Sequence, residues 1–292
     1  MDEHKYENEC KEAILKTLAY RSVFKYPLSF YQMATFLMSP REFSTQEIKE
    51  SANKLIQESI IKRKYKKYIL CKNNYVNWQH KYQHSIEVIK KNQKYFDILA
   101  KIPWIKMICV TGSVAACNAE KETDIDVLIV ASKNRLWLTR GFTALILTIL
   151  NKQPFGGEEV PGSICTNIFM EESQLEWEEK KQNVYTATDI VLMQPVINKG
   201  NTYFEFIREN KWIFKFYKNF VVDIAETPTR NRRPSHLINR LEDTAREIQL
   251  MYMKKKKTVE ITTKHLIHFN KHDSTGKVLN NYKKVLAQLK IS

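Results

Sequence analysis

The chain has 292 residues, 43% of them hydrophobic, and carries 47 Lys and Arg against 32 Asp and Glu, a formal charge of +15. The apolar content excludes a disordered chain, and the length allows about two or three domains. The longest apolar run, residues 142–150, is too short to span a bilayer, which excludes a membrane-embedded helix there.

The positive charge attracts phosphates, whether on nucleotides or on nucleic acid. The lysines are spread along the chain, which equally suits an ordinary lysine-rich composition. Cys10, Cys71, Cys109, Cys117 and Cys165 form no close sequence pair. They read as reduced thiols, and the polar start Met1-Asp2-Glu3-His4-Lys5 is not a signal peptide. The expected location is cytoplasmic.

Residues 8–72 form a candidate first module. Ala13, Ile14, Leu18 and Val23 share one helical face. Ser29 caps a second helix, and Ser44 with Glu47 makes a capping box for a third. Residues 60–70 then alternate as a two-stranded hairpin with a basic tip. Three helices and a hairpin resemble a winged helix, a fold that often places its third helix on DNA. Here that helix is mixed in charge, so the basic hairpin is the better phosphate contact.

A helix over 78–101 leads into an apolar strand at 104–110, which breaks at Gly112-Ser113. Glycine lets backbone approach a ligand closely, and the free N–H groups of a starting helix attract phosphate. Ten residues later comes Asp124-Ile125-Asp126-Val127, the start of a second strand. Side chains alternate along a strand, so Asp124 and Asp126 face one way. Two adjacent carboxylates repel unless a cation lies between them, and carboxylate oxygens suit Mg²⁺ or Mn²⁺.

Residues 134–150 read as an amphipathic helix with Arg135 and Arg140 near its start. Either guanidinium could stabilise a triphosphate or lie on a solvated face. A third strand covers 164–170 and carries Asn167. Residues 173–220 read as helical, with Asp189 an N-cap or structural partner rather than a catalyst. A basic linker containing Arg230, Arg232 and Arg233 precedes a helix over 235–253, whose apolar face is Leu237, Leu241, Ala245 and Ile248. With Lys254 to Lys257, this is where a polynucleotide backbone or acidic partner would lie. His265, His268 and His272, with Asp273, fit one helical face and read as an ordinary amphipathic segment rather than a metal site.

The Gly112-Ser113 turn and the Asp124/Asp126 pair resemble the signature of the DNA polymerase β-like nucleotidyltransferase superfamily. The resemblance covers about residues 90–200, with Thr111 where that family usually has a hydrophobic residue. It implies an α+β (mixed α/β) fold: a small mixed-sheet nucleotidyltransferase core flanked by the winged-helix-like module and a C-terminal helical region. The corresponding boundaries are 1–75, 76–222 and 223–292. It further implies that Gly112, Ser113 and Arg140 bind an NTP, and that Asp124 and Asp126 hold Mg²⁺. An acceptor hydroxyl then attacks the α-phosphate and pyrophosphate leaves.

Many members carry a third carboxylate on the next strand, often as the base; here Asn167 matches it, and an amide is no general base. Three readings follow. Two aspartates suffice, or Glu158, Glu171 or Glu172 reaches in, or activity is reduced or lost and the protein senses nucleotide while its first module acts on DNA as a regulator. In the transferase readings the acceptor is a small molecule, a protein side chain or an RNA end.

Overall fold

The computed structural model describes residues 3–75, 77–152, 162–222, 236–254, 260–269 and 274–291. It is a mixed α+β protein with two sheets. No helix among the described residues is long and apolar enough to cross a membrane.

The first module contains α1 (Glu3–Val23), β1 (Leu28–Ser29), α2 (Phe30–Thr35), α3 (Thr45–Gln57), β2 (Ile61–Lys64) and β3 (Lys67–Leu70). Both expected caps form. Ser29 and Gln32 make a reciprocal capping box on α2, and Ser44 and Glu47 make another on α3. Each satisfies two otherwise orphaned N–H groups. The sheet has three strands in the order β1-β3-β2, one more than the hairpin expected from sequence. Two residues, Leu28 and Ser29, are too few to show an alternation, and pairing with Tyr68 and Lys67 makes them a strand. Ile14, Met33, Leu37, Ile48 and Leu55 fill the interior.

The larger sheet follows α4 (Trp78–Leu99). Its elements are β4 (Ile105–Val110), α5 (Gly112–Ala115), β5 (Ile125–Ala131), α6 (Leu136–Ile149), β6 (Ile164–Glu171), α7 (Val184–Leu192), β7 (Gln194–Asn198) and α8 (Thr202–Glu209). Next come α9 (His236–Lys254), β8 (Glu260–Thr262), β9 (Leu266–Phe269) and α10 (Thr275–Leu289). Strand order is β7-β4-β5-β6-β9-β8, and β5 with β6 is its parallel pair. Central β5 is buried throughout except at Asp126. Its two faces belong to different cores: Leu128 and Val130 pack with Met107, Ile190 and Phe206, while Ile125, Val127 and Ile129 pack with Phe96, Trp137 and Leu147.

Three expectations need correction. Residues 173–220 are not continuously helical, because Gln194–Asn198 pairs with β4 as an edge strand, with Pro195 where the register shifts. His268 lies on β9, not on a helix, and pairs with Ile168 of β6; His265 Nδ1 sits 3.2 Å from the Glu171 carboxylate. The C-terminal region is therefore not wholly helical: β8 and β9 extend the sheet. His272 and Asp273 lie outside the described residues.

The face of α9 also differs. Leu241 and Ile248 are exposed, and Glu242 is buried. Glu242 accepts hydrogen bonds from the Trp137 and Leu138 N–H groups at the start of α6, 2.7 and 3.0 Å away. Gln249 donates to the Trp137 carbonyl. Orphaned helix-start N–H groups outcompeted the apolar stripe for this contact.

Asn210 joins the loop after β6 to the end of α8. Its Nδ2 donates to the Leu175 and Phe206 carbonyls at 2.8 Å, and its Oδ1 accepts from Trp177 N and Trp212 Nε1. It is wholly buried. Asn210→Ala is expected to cost about 3 kcal/mol in urea unfolding, because several buried polar groups lose their partner at once.

Candidate functional site

Thr111 N donates to the Asp126 carbonyl at 2.8 Å, so the chain leaving β4 stays against β5 as it turns. The turn needs glycine. Gly112 has φ +64°, and a Cβ there would lie 2.6 Å from Asp126 Oδ2. The carboxylate is thus packed directly on the glycine backbone. Gly112→Ala is expected to lose about 2 kcal/mol in urea unfolding, from left-handed backbone strain and displacement of Asp126. Ser113 follows in α5, which is a single turn, and is half-buried.

Asp124 stands just before β5, and Asp126 is its second residue. The Ser163 hydroxyl donates to Asp124 Oδ1 at 3.0 Å, and the Cys165 thiol reaches Oδ2 at 3.5 Å. Asn167 Nδ2 donates to Asp126 Oδ1 at 2.5 Å. The β5–β6 register shifts between Val127 and Leu128, which leaves Asn167 as the extra residue of β6. Such a bulge re-aims a side chain, and here it brings the amide onto the carboxylate.

Neither aspartate is in an ion pair with Lys or Arg among the described residues. Burial first, then the neighbouring Asp124 charge, pushes the Asp126 carboxyl up to about 6, against a partial offset from the Asn167 hydrogen bond. Asp124 and Asp126 are the side chains that could hold a cation. Among the described residues, no group of three or more His, Cys, Asp or Glu is arranged to hold a metal ion.

Arg140 does not join this site. It donates to Gln249 of α9, and α6 covers the sheet face opposite the aspartates. Arg135 likewise donates to Asn239, 2.7 Å away. Both guanidiniums serve the α6–α9 contact, because odd-numbered β5 residues face α6 and even-numbered ones face away.

Glu171 and Glu172 are also excluded from the site. They lie at the other end of β6, where Glu171 pairs with Ala131 and meets His265, and Glu172 pairs with Lys106. Glu158, Arg230, Arg232, Arg233 and Lys255 to Lys257 lie outside the described residues.

The residue that the sequence reading set aside as a catalyst is Asp189. It sits in the middle of α7, whose N-cap is Asn183, so it caps nothing. Burial and the Asp126 charge push its carboxyl up to about 7. The Asp126 charge opposes ionisation of Asp189. No hydrogen bond or ion pair holds Asp189 among the described residues. An acid on an otherwise apolar helix was the available signal, and its partner is distant in sequence.

Comparison with protein-family models, with curated proteins and with solved structures finds no match to this chain.

Proposed function

We propose that the protein is a nucleotidyltransferase that moves a nucleoside monophosphate from an NTP to an acceptor hydroxyl and releases pyrophosphate. The observation that carries this reading is the Asp124/Asp126 pair: two acids on one sheet face, packed against a left-handed glycine and without a basic partner among the described residues. Such a pair lacks a positive counterpart, and its hard oxygen donors fit Mg²⁺ or Mn²⁺. When bound, a divalent ion of this kind neutralises phosphate charge and makes a hydroxyl more acidic.

The remaining roles belong to the chain. Gly112 keeps the turn low over Asp126, which leaves room for a phosphate tail beside Ser113. Asn167 and Ser163 hold the two carboxylates in place. Asp189 takes the proton of the attacking hydroxyl as the new phosphoester bond forms and the α–β phosphoanhydride bond breaks. In this reading the third acid comes from a helix, whereas the sequence reading considered Glu158, Glu171 and Glu172.

The first module supports a winged-helix-like reading, with a chain order of helix, strand, helix, helix, hairpin. Its hairpin tip exposes Arg63, Lys64, Tyr65 and Lys66. A second reading, a nucleotide sensor whose first module binds DNA, is favoured by Asn167 in place of an acid. Labelled NTPs with Mg²⁺ separate the two. Pyrophosphate release that vanishes in Asp124→Ala supports transfer. Tight DNA binding with no turnover of any NTP sinks it.

A further inference from the structure

A cavity of about 180 Å³ lies between the first module and the larger sheet. Arg21 and Gln32 line it from one side, and Cys117, Val191 and Gln194 line it from the other. Arg21 is 7% exposed. One guanidinium nitrogen donates to the Ala116 carbonyl at 3.3 Å, and the group stacks 4.6 Å from the Tyr26 ring centre. Its Nε–H is buried with no acceptor. Among the described residues no carboxylate faces this charge; the groups around it are Tyr20, Tyr26, Tyr217 and Cys117.

Lys67 is a second cation nearby: it does not line the cavity itself but is bonded to Gln32, which does. Its ammonium donates to Gln32 Oε1 at 3.0 Å, lies over the Trp78 ring and is in no ion pair among the described residues. Arg21 and Lys67 are close enough to repel, and burial followed by that repulsion depresses the lysine pKa. Cys117 does not supply the missing negative charge, since burial holds its thiol protonated. A buried cation without a counter-charge is expensive, and two together more so.

We infer that this cavity binds the phosphoryl group of a small phosphorylated molecule, at a site separate from Asp124 and Asp126. Two cations match a dianion better than a carboxylate, and the guanidinium fork suits tetrahedral oxygens. Leu28, Phe36 and Val191 would enclose a short apolar stem. The far wall is the end of the phosphate turn, since Gln194 donates to the Ala115 carbonyl at 2.7 Å. A ligand here ties the first module to that turn.

The test uses the full chain in EDTA, so that binding through a divalent ion is absent. Inorganic phosphate and butyl phosphate are titrated calorimetrically and followed by thermal unfolding, against chloride at equal ionic strength. Saturable one-to-one binding that raises the melting temperature is expected. Tighter binding of butyl phosphate identifies a phosphomonoester as the occupant, and equal binding identifies free phosphate. Arg21→Met should weaken binding by more than about 30-fold while leaving the empty protein no less stable. If Arg21→Met does not fold, Lys67→Met, beside the cavity, decides by the same loss. Unchanged affinity in the variants, or no saturable binding to the unmodified chain, overturns the assignment.

Discussion

Asp126→Asn is expected to lower the proposed nucleotidyl transfer by more than about 1,000-fold and, in the same protein without metal, to increase stability at neutral pH. The two effects share one origin. Asp126 is forced to ionise beside Asp124 in a partly buried place, which raises its carboxyl from an ordinary 3.8 to about 6. An acid raised on folding holds more protons folded than unfolded. Its stabilisation is therefore complete below about 4 and is lost as pH rises through about 6. At about pH 7.5 the charged form costs the metal-free protein up to about 3 kcal/mol, which an uncharged amide of the same shape avoids. Urea unfolding in EDTA at several pH values measures this. Loss of activity with an accompanying loss of stability would instead make Asp126 a structural residue. Added Mg²⁺ should stabilise the unmodified chain and leave Asp126→Asn unmoved.

The second large effect concerns Asp189. If it accepts the proton of the acceptor hydroxyl, Asp189→Asn should lower kcat by about 100- to 10,000-fold with little change in KM. A base must be ionised to act, so activity in the unmodified protein should rise with pH up to a limb at or below about 7. That limb should be absent in the variant. Asp189→Glu should restore part of the rate, since it keeps the carboxyl. A variant profile that keeps its limb would place the base elsewhere and leave Asp189 as a half-buried acid of α7. Nucleotide affinity supplies a control: it should change less than the rate, because the proposed role is in chemistry rather than binding.

The contrast between these aspartates shows what a sequence can disclose. Asp124 and Asp126 were legible because strand alternation is a rule between near neighbours, and a run of apolar residues on either side made the strand plain. Gly112 was legible because a positive φ is costly for other residues. The caps at Ser29 and Ser44 were legible because each is a contact across three residues. Asn167 was found through the family resemblance, although the bulge that turns it onto Asp126 was not, since a bulge is defined by the partner strand.

Arg140 was misplaced for a related reason. A helix that follows a strand can cover either face of a sheet, and which face it takes depends on how all the other elements pack. The buried face of α9 was misjudged because Glu242 answers N–H groups more than 100 residues earlier. The chain's own order of residues thus determined α1 to α4, the first hairpin, β4 to β6, the caps and the acid pair, whereas β1, β7, β8 and β9 are strands only through their pairing partners. The tertiary structure alone decided which helix shares a sheet face with that pair, and so put α7, which carries Asp189, on that face, left out Arg140 and enclosed Arg21. Local conformation follows from torsions and near-neighbour contacts, whereas burial of a charge is set by every element that closes around it.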